Sequence, residues 1–539
     1  MTRLVNDPVE FSAELVDGFI QANTRYVRPV YGGVVRSTET KPGKVAIVTG
    51  GGLGHYPGFM GWVGPGLVDG AVTGKVFASP AASQVHSVAK AADHGGGILL
   101  AYLNYAGDME ETDKRRGIAG GLAVLKVTSA AAEAGMTLDQ VTAVCQRAND
   151  RTRTCGIAFS GCTLPGADEP LFEVTEGKMA VGLGVHGEPG IYETDLGTAD
   201  DVAQLLVDTL MNEVPQGAGT RVVAMLNGLG SAKYEELFVT FTSVTSKLRD
   251  AGLDVVDGQV GEFMTSLDMG GLSLTLMWLD DDLETLWFAP CDSAAYSRPA
   301  LQDPPLDASV TFNTEPEPLT VQQEGSASSR AAAALIADAL ERVRDVLNAN
   351  ESMLGDLDAV AGDGDHGAGM ARGSTAAAQA ARELVAEGAG AQTTLAGAGA
   401  RWTEHSGGAS GALWGAALTA AGNSLGDDRD VDNAAAVAAV QAFVDSVITL
   451  GKANVGDKTI VDALVPFTQA FGTAVESSGD VSQAWQTAAA ASEEAAAGTE
   501  ALVPRMGRAR VLGERSVGSP DPGAVSFAMA AKAAGVATD

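Results

Sequence analysis

Three aspartates lie close together in a glycine-rich stretch of the second half of the chain. Asp358, Asp363 and Asp365 belong to the run Leu-Asp-Ala-Val-Ala-Gly-Asp-Gly-Asp-His-Gly. If this stretch is extended, Asp363 and Asp365 point the same way, because alternate side chains share one face of an extended chain. Converging carboxylates repel one another unless a cation lies between them, and hard oxygen ligands suit Mg²⁺ bridged to phosphate groups. The pattern predicts a magnesium site, with a solvated turn as the alternative when the segment is taken alone.

Two well-known loop types are excluded by counting residues. If Asp363 is position 1 of an EF-hand, Ser374 falls at position 12, where that calcium loop needs a bidentate glutamate. The stretch from Gly451 to Thr459 nearly matches a phosphate-binding P-loop, but Asp457 is one residue too many before the final Lys-Thr pair. We therefore reject both a calcium loop and a P-loop fold.

Two further segments of this half have features that favour phosphate binding. The small residues of Ser406–Gly411 open an apolar helical stretch, and the free N–H groups at a helix start can bind phosphate. The run Gly-Ser-Pro-Asp-Pro-Gly-Ala at Gly518–Ala524 is a rigid turn that could border a nucleotide pocket. Taken alone, such a sequence is more often only a turn.

Two histidines and one aspartate of the first half could act on a carbonyl compound. His55 ends the run Gly-Gly-Gly-Leu-Gly-His, where backbone amides could hold hydroxyls beside an acid–base imidazole. His186 lies between glycines, so it is exposed and could add to a carbonyl carbon, although structural hydrogen bonding is the alternative. Asp108 follows the apolar run Gly97–Tyr102, at the strand end where open α/β sheets bind ligands, which favours a general base.

The elements that must position these residues differ between the two halves. From residue 44 to residue 287, short β-rich runs alternate with Ala-rich helical stretches, which predicts an α/β domain. Residues 272–290 look like a β-hairpin around an Asp-Asp-Asp turn. Beyond residue 329, apolar residues recur at helical spacing, which predicts an all-α domain.

The α/β pattern and the helical pattern are separated by residues 304–329, a stretch rich in Pro, Glu, Gln and Ser. Such a composition is typical of a linker between domains. We therefore predict an α/β domain at 1–314, a linker at 315–329 and an all-α domain at 330–539. A chain of 539 residues is long enough for a substantial core in each domain.

The composition excludes several classes of protein. The formal charge of −33, from 35 Lys and Arg against 68 Asp and Glu, repels nucleic-acid backbones and anionic lipid. An anionic nucleotide would need local neutralisation, which carboxylate-bound metal supplies. The first residues contain no apolar leader, we find no uninterrupted apolar run long enough to span a bilayer, and the four cysteines lack zinc-site spacing. We expect a cytoplasmic protein with reduced thiols.

These segments together resemble the dihydroxyacetone kinase family, specifically its single-chain ATP-dependent members that join a substrate domain to a nucleotide domain. The resemblance covers nearly the whole chain. Its most specific motifs are Gly-Gly-Gly-Leu-Gly-His55, Asn-Tyr-Ala-Gly-Asp108, Gly-Val-His186-Gly-Glu-Pro-Gly, Gly-Asp363-Gly-Asp365-His-Gly, Gly-Gly-Ala-Ser410-Gly, Val-Gly-Asp-Lys-Thr459 and Asp521-Pro-Gly-Ala.

The resemblance implies roles for individual residues of the first half. His186 would hold a short-chain ketose as a covalent hemiaminal, while His55 and Asp108 would assist and deprotonate the attacking hydroxyl. The residues around the sugar would be Gly52, Leu53, Gly54, His55 and Asp108.

For the second half the resemblance implies ATP and Mg²⁺ as cofactors and a barrel of antiparallel helices as the fold. Asp358, Asp363 and Asp365 would bind the metal. The residues in contact with ATP would be His366, Gly367, Ala409, Ser410, Gly456, Thr459, Ile460, Asp521, Pro522 and Gly523. Family members are usually homodimers, and neither nucleic acid nor membrane is an expected partner.

Two departures from the family pattern bear on the substrate and on activity. Tyr56 and Pro57 follow His55 where dihydroxyacetone members commonly carry an acidic residue, so the chain looks more like relatives that act on tetruloses such as erythrulose. After Asp108 the chain is shorter than its relatives by about thirty residues, the size of a βαβ piece. The open alternatives are a triose kinase for dihydroxyacetone or glyceraldehyde, a non-catalytic ketose-binding regulatory protein, and cyclisation of FAD.

Overall fold

The computed structural model describes residues 4–102, 117–185, 190–300, 318–506 and 516–535. The chain divides into two compact units, residues 1–307 and residues 308–539. The first unit is an α/β domain and the second is helical, which confirms the predicted fold class.

The first unit alternates helices with strands along the chain. In order it contains α1 (Phe11–Ala22), β1 (Val27–Val30), β2 (Gly33–Arg36), β3 (Ala46–Leu53), a 3₁₀ turn (Met60–Trp62), β4 (Gly70–Val76), α2 (Ala82–Ala92), β5 (Ile98–Leu100), α3 (Gly120–Glu133), α4 (Leu138–Asp150), β6 (Thr152–Ala158), β7 (Lys178–Val181), β8 (Tyr192–Asp195), α5 (Ala199–Met211), β9 (Arg221–Gly228), α6 (Tyr234–Asp250), β10 (Asp254–Gly261), β11 (Gly271–Trp278), α7 (Asp281–Phe288), β12 (Cys291–Asp292) and β13 (Ser297–Arg298).

Two larger sheets organise this unit. The five-stranded sheet has the order β1-β2-β4-β3-β5, in which β3 runs parallel to both β4 and β5. The six-stranded sheet has the order β10-β9-β11-β6-β7-β8, and β11 is antiparallel to both of its neighbours. Every residue of β11 is buried, because helices cover this sheet. In the smaller sheet, β3 and β5 are parallel neighbours, so their carboxyl ends lie at the same edge.

The predicted hairpin at residues 272–290 is wrong, because a helix follows the first strand. Asp280 accepts a hydrogen bond from the backbone N–H of Leu283 at 2.9 Å and caps α7. Asp281 and Asp282 occupy the first turn of this helix. Carboxylates stabilise helix starts by pairing with free N–H groups and with the helix dipole. The acidic run that looked like a hairpin turn is therefore a helix start.

A buried ion pair fixes the strand that leads to the predicted substrate residues. Lys44 donates to both carboxylate oxygens of Asp69 at 2.6 and 2.7 Å, and the two residues are only 6% and 1% exposed. Asp69 also accepts from the backbone N–H of Ile47, in β3, at 2.9 Å. Arg36 lies 3.5 Å from the same carboxylate. Asp69, directly before β4, thus holds the start of β3 in register.

All regular elements that the structure describes between residues 318 and 535 are helices. In order they are α8 (Ala327–Ala349), α9 (Glu351–Ala361), α10 (His366–Ala386), α11 (Ala391–Ser406), α12 (Gly408–Leu425), α13 (Asn433–Gly451), α14 (Val461–Ser478), α15 (Val481–Gly498), a 3₁₀ turn (Thr499–Ala501) and α16 (Pro522–Ala534). α8 begins inside the stretch predicted as a linker, because Ser326 caps it by accepting from the N–H of Ser329.

The core of the second unit is built mainly from alanine, leucine and valine side chains, together with a few large aromatic residues. Trp402 of α11 and Trp414 of α12 stack with their ring centroids 4.7 Å apart. One described helix, α13, is long and apolar enough to cross a membrane by length and composition, with a mean hydropathy of 1.7. One such helix is weak evidence of a membrane span; α13 packs against α12 and α14, and 17% of its apolar window is buried.

The Lys44–Asp69 pair makes a testable prediction about the first unit. Replacing Lys44 with Met leaves the buried Asp69 carboxylate without its main counter-charge, which should lower the free energy of unfolding by about 3 kcal/mol. Urea unfolding, with hydrogen exchange in residues 44–53 as a local readout, measures the effect. The matched control is Lys75→Met, an exposed lysine of β4, which should change stability by less than about 0.5 kcal/mol. Equal effects of the two substitutions would contradict this account.

Candidate functional site

The predicted substrate residues Gly52, Leu53 and Gly54 lie at the carboxyl end of β3. The strand continues through Leu53, so most of the glycine run is strand rather than loop. A Cβ atom on Gly52 would lie 2.7 Å from the backbone nitrogen of Ala78, so only glycine lets the chain after β4 pack against it. Gly54 has a φ of +102°, and the turn there directs His55 into the interior, where it is fully buried.

The segment Thr265–Leu267 holds this end of β3 through hydrogen bonds. The carbonyl oxygen of Thr265 lies 2.9 Å from Nδ1 of His55. Because a carbonyl oxygen only accepts, Nδ1 carries the proton, and in the neutral imidazole Nε2 is the proton acceptor. The backbone N–H of Leu267 donates to the carbonyl of Gly54 at 2.9 Å. His55 is therefore held in one tautomer and one orientation suited to acid–base chemistry.

The same segment reaches the chain just before the second predicted histidine. The Ser266 hydroxyl donates to the carbonyl oxygen of Val185 at 2.6 Å, and both residues are buried. Val185 directly precedes His186 in the sequence. His186 and Asp108, which we predicted as nucleophile and base, lie outside the described residues.

An aromatic ring covers one face of the His55 imidazole. The Phe77 ring stacks on it with the centroids 4.9 Å apart and the planes inclined by 17°. Phe77 and Leu267 both adopt the left-handed backbone conformation, with φ of 53° and 51°. That conformation is costly for residues other than glycine and concentrates at functional sites. Two strained residues thus flank the predicted substrate residues.

The three aspartates of the second unit converge, although not through an extended loop as expected. The chain turns at Gly364, where φ is +82°, and Asp365 already has helical backbone angles at the start of α10. One oxygen from each of Asp358, Asp363 and Asp365 nevertheless lies within 4.8 Å of the other two. Asp358 is oriented by the N–H groups of Gly364 and His366, at 2.9 and 3.4 Å. A group of acidic oxygens this close fits a hard divalent cation such as Mg²⁺.

His366 connects three helix starts beside these aspartates. Its Nε2 lies 2.9 Å from the hydroxyl of Ser526 in α16, and its Nδ1 lies 3.5 Å from that of Ser410 in α12. Burial lowers the pKa of the imidazole, against the opposing effect of Asp358 and Asp365. The first turns of α10, α12 and α16 therefore meet, and they carry Gly367, Ala409 and Gly523 of the predicted nucleotide site.

A buried carboxylate shapes the loop that contains Gly456 and Thr459. Asp462, in the first turn of α14, accepts from the backbone N–H of Gly456 at 2.5 Å and from that of Thr459 at 2.7 Å. Ile460 directly precedes this helix. Both predicted nucleotide residues are thus held by one side chain that the sequence analysis did not single out.

The turn at Asp521 packs against this loop. Asp521 accepts from the N–H of Ala524 at 2.7 Å and caps α16, whose first residue is Pro522. A Cβ atom on Gly523 would lie 3.5 Å from the Cβ of Ile460. Burial and, to a smaller extent, the charge of Asp462 together raise the pKa of the Asp521 carboxyl to about 7, against the opposing effects of the Ala524 amide and Lys458. The structure therefore brings the 456–460 loop and the 521–523 turn together.

Sequence reasoning missed four residues that build these sites. Asp462 had a usable signal, because Thr459 and Asp462 form a Thr-x-x-Asp pattern typical of a helix start. Phe77, Thr265 and Ser266 had no such signal. Thr265 contacts His55 across 210 positions of sequence, and only the fold defines that contact.

Comparison with known families identifies the class of protein that this fold and these sites define. A Dak1 domain matches residues 17–110 and 109–295, and a DAK2 domain matches residues 360–535. The two Dak1 segments meet at residues 109–110, next to Asp108, after which we predicted the chain to be shorter than its relatives. The chain belongs to the dihydroxyacetone kinase family, as predicted.

Individual relatives are similar over nearly their whole length. The chain is 49% identical to an L-erythrulose kinase of Pectobacterium atrosepticum, over 98% of this chain and 95% of that protein. It is 46% identical to a D-erythrulose kinase of Mycolicibacterium smegmatis, over 99% and 98% of the two chains. Among solved structures, the dihydroxyacetone kinase of C. freundii in complex with AMP-PNP and Mg²⁺ matches with a TM-score of 0.56, 28% identity and 99% coverage of both chains.

The raised pKa of Asp521 predicts a specific dependence of stability on pH. The carboxyl binds its proton more tightly in the folded state, with a pKa of about 7, than in the unfolded chain, where it is about 3.9. Its stabilising contribution is complete below pH 4 and is lost as the pH rises to about 7. Across that range, the free energy of unfolding of the wild type should fall, relative to that of Asp521→Asn, by up to about 1.4 kcal/mol per pH unit.

The asparagine variant is a close control, because its side-chain oxygen still accepts from the Ala524 N–H. Unfolding of both proteins measured at intervals from pH 4 to pH 8 gives the difference directly. A difference that stays constant between pH 4 and pH 7 would refute the raised pKa.

Proposed function

We propose that this chain transfers the γ-phosphoryl group of ATP to a terminal hydroxyl of a short-chain ketose, with erythrulose as the preferred substrate. The observation that carries the proposal is 49% identity to an L-erythrulose kinase across nearly the whole chain. Two groups of residues support it, one beside His55 and one formed by acidic residues and helix starts, because they would supply the positioning and charge neutralisation that such a reaction requires.

The contacts around His55 support a site for the ketose in the first unit. β3 and β5 are parallel neighbours, so the glycine run and the chain that leads to Asp108 leave the sheet at the same edge. In this proposal the Asp108 carboxylate takes the proton of the attacking hydroxyl, and His55 assists beside it. The imidazole of His186 adds across the ketone, forming a C–N bond while its proton passes to the carbonyl oxygen. A polyol without a carbonyl cannot be held in this way.

The arrangement around Asp358 supports a site for ATP and Mg²⁺ in the second unit. Asp358, Asp363 and Asp365 would hold the metal, which neutralises phosphate charge when bound. The helix starts joined by His366 place backbone N–H groups where they can bind phosphate oxygens. The residues proposed to contact the nucleotide are His366, Gly367, Ala409, Ser410, Gly456, Thr459, Ile460, Asp521, Pro522 and Gly523.

Three further expectations from the sequence stay predictions. They are a homodimer, a cytoplasmic location and domain boundaries at 1–314, 315–329 and 330–539. Light scattering of the purified chain measures the first, and limited proteolysis measures the last. A kinase for dihydroxyacetone or glyceraldehyde is the alternative within the family, and a ketose-binding regulatory protein is the alternative outside catalysis.

The division of labour between the two units can be tested with two variants. His186→Ala should abolish the covalent protein–ketose adduct and reduce kcat/KM by a factor of about 1000 or more. Asp363→Asn should keep the adduct but lower kcat by a factor of about 100 or more, because phosphate charge is no longer neutralised. Intact-protein mass spectrometry detects the adduct, and coupled ADP release measures turnover.

Exposed neighbours provide matched controls for both substitutions. His86→Ala and Asp356→Asn change exposed residues of α2 and α9, and they should leave adduct and turnover unchanged. If His186→Ala and Asp363→Asn both retain full kinase activity, the proposed mechanism is wrong.

A substrate screen tests the proposed reaction and its alternatives. We expect ADP release to depend on a short-chain carbonyl sugar. It should be fastest with one enantiomer of erythrulose and slower with dihydroxyacetone or glyceraldehyde. Glycerol, which has no carbonyl, is the control and should not support turnover. A stable adduct without ADP release would favour the regulatory alternative, and riboflavin cyclic phosphate formed from FAD would reveal cyclisation.

A further inference from the structure

Lys458 is a buried lysine in the loop that carries Gly456 and Thr459. Its side chain is 2% exposed, and its Nζ donates to the carbonyl oxygens of Leu502, Ser516 and Ser519 at 3.1, 2.7 and 2.8 Å. An ammonium group has three N–H donors, so these carbonyls account for all of them. The lysine is therefore directed into the protein rather than toward a ligand.

The carbonyl partners of Lys458 belong to the chain that leads into the Asp521 turn. The residue after Lys458, Thr459, is held within its own loop, because its backbone N–H donates to the Asp462 carboxylate at 2.7 Å. One cation thus ties the 456–460 loop to the chain leading to the 521–523 turn. These are the two segments that Gly523 and Ile460 bring into contact.

The charges around Lys458 explain why a cation is needed at this point. Asp521 and Glu500 interact favourably with the ammonium, and Asp462 and Asp521 repel one another. Without the ammonium, three carbonyl oxygens would lose their donor, and the side chains of Asp521 and Glu500 would lose a counter-charge. Lys458 also has a φ of +59°, a conformation that a lysine adopts only when its surroundings impose it.

A lysine before a threonine in a glycine-containing loop usually suggests a phosphate ligand, as in a P-loop. The geometry points to a different role. We propose that Lys458 is a positioning residue that joins the two loops of the nucleotide pocket and so sets the affinity for ATP, without touching its phosphates. This inference rests on the proposed nucleotide site of the second unit.

Binding of AMP-PNP with Mg²⁺ to the full chain, measured by calorimetry, tests the role without requiring turnover. Lys458→Met removes the charge and all three donors, and it should weaken binding by a factor of about 10 or more. The KM for ATP should rise by a similar factor, while kcat at saturating ATP changes less than about threefold. Lys458→Arg keeps the charge and offers enough donors, so it should restore most of the affinity.

Lys452→Met is the matched control. Lys452 is six residues upstream, has nearly the same left-handed backbone with φ of 53°, and is exposed. It should bind AMP-PNP like the wild type. If Lys458→Met does not fold, Lys458→Gln, which keeps two N–H donors, answers the same question with an expected loss of about threefold or more.

Several results would overturn the inference. One is wild-type affinity for AMP-PNP in a folded Lys458→Met or Lys458→Gln protein. Another is a loss of kcat by a factor of about 100 with unchanged affinity, which would make Lys458 a catalytic residue. A wild-type chain that binds AMP-PNP but phosphorylates no ketose would contradict the proposed kinase reaction and leave this inference standing.

Discussion

The first unit depends on the hydrogen bonds that Thr265–Leu267 makes with the glycine-rich end of β3. A glycine run has no side chains with which to hold itself, so its position must come from outside. The segment between β10 and β11 supplies that support, with bonds to His55 and Gly54 at 2.9 Å and to Val185 at 2.6 Å. Because the contact to His55 is a backbone carbonyl, it fixes the tautomer as well as the position of the ring. The buried Lys44–Asp69 pair secures the other end of the same strand.

In the second unit, charged side chains order the loops, and two of them, Asp462 and Lys458, are buried. Asp358, Asp462 and Asp521 each accept backbone N–H groups of the loops that they shape. Lys458 adds a positive charge, and its ammonium donates to three backbone carbonyl oxygens. In a chain with a formal charge of −33, such a pocket can accept an anionic nucleotide only with a cation beside it. The convergence of Asp358, Asp363 and Asp365 fits that requirement.

Local patterns predicted the class of both domains well, and their errors have a physical cause. The alternation of β-rich and helical runs and the later helical spacing were correct guides, because periodicity reflects burial on one face. The run after β11 was misread, since aspartates favour both turns and helix starts, and only the capping bond of Asp280 separates the two. The aspartate loop was predicted as extended, but a left-handed Gly364 turns it and still lets the carboxylates converge.

By itself the sequence determined which residue types are available and how they are grouped: the glycine run before His55, the aspartates around Gly364 and the small residues at helix starts. These are local features, because spacing along the chain decides what can share a turn or a strand end. The tertiary structure alone decided which side chains hold those groups in place. Thr265 on His55, Phe77 over its ring, and Lys458 on Leu502 and Ser516 all join residues far apart in sequence. Such contacts depend on how strands and helices pack, and no local pattern encodes that packing.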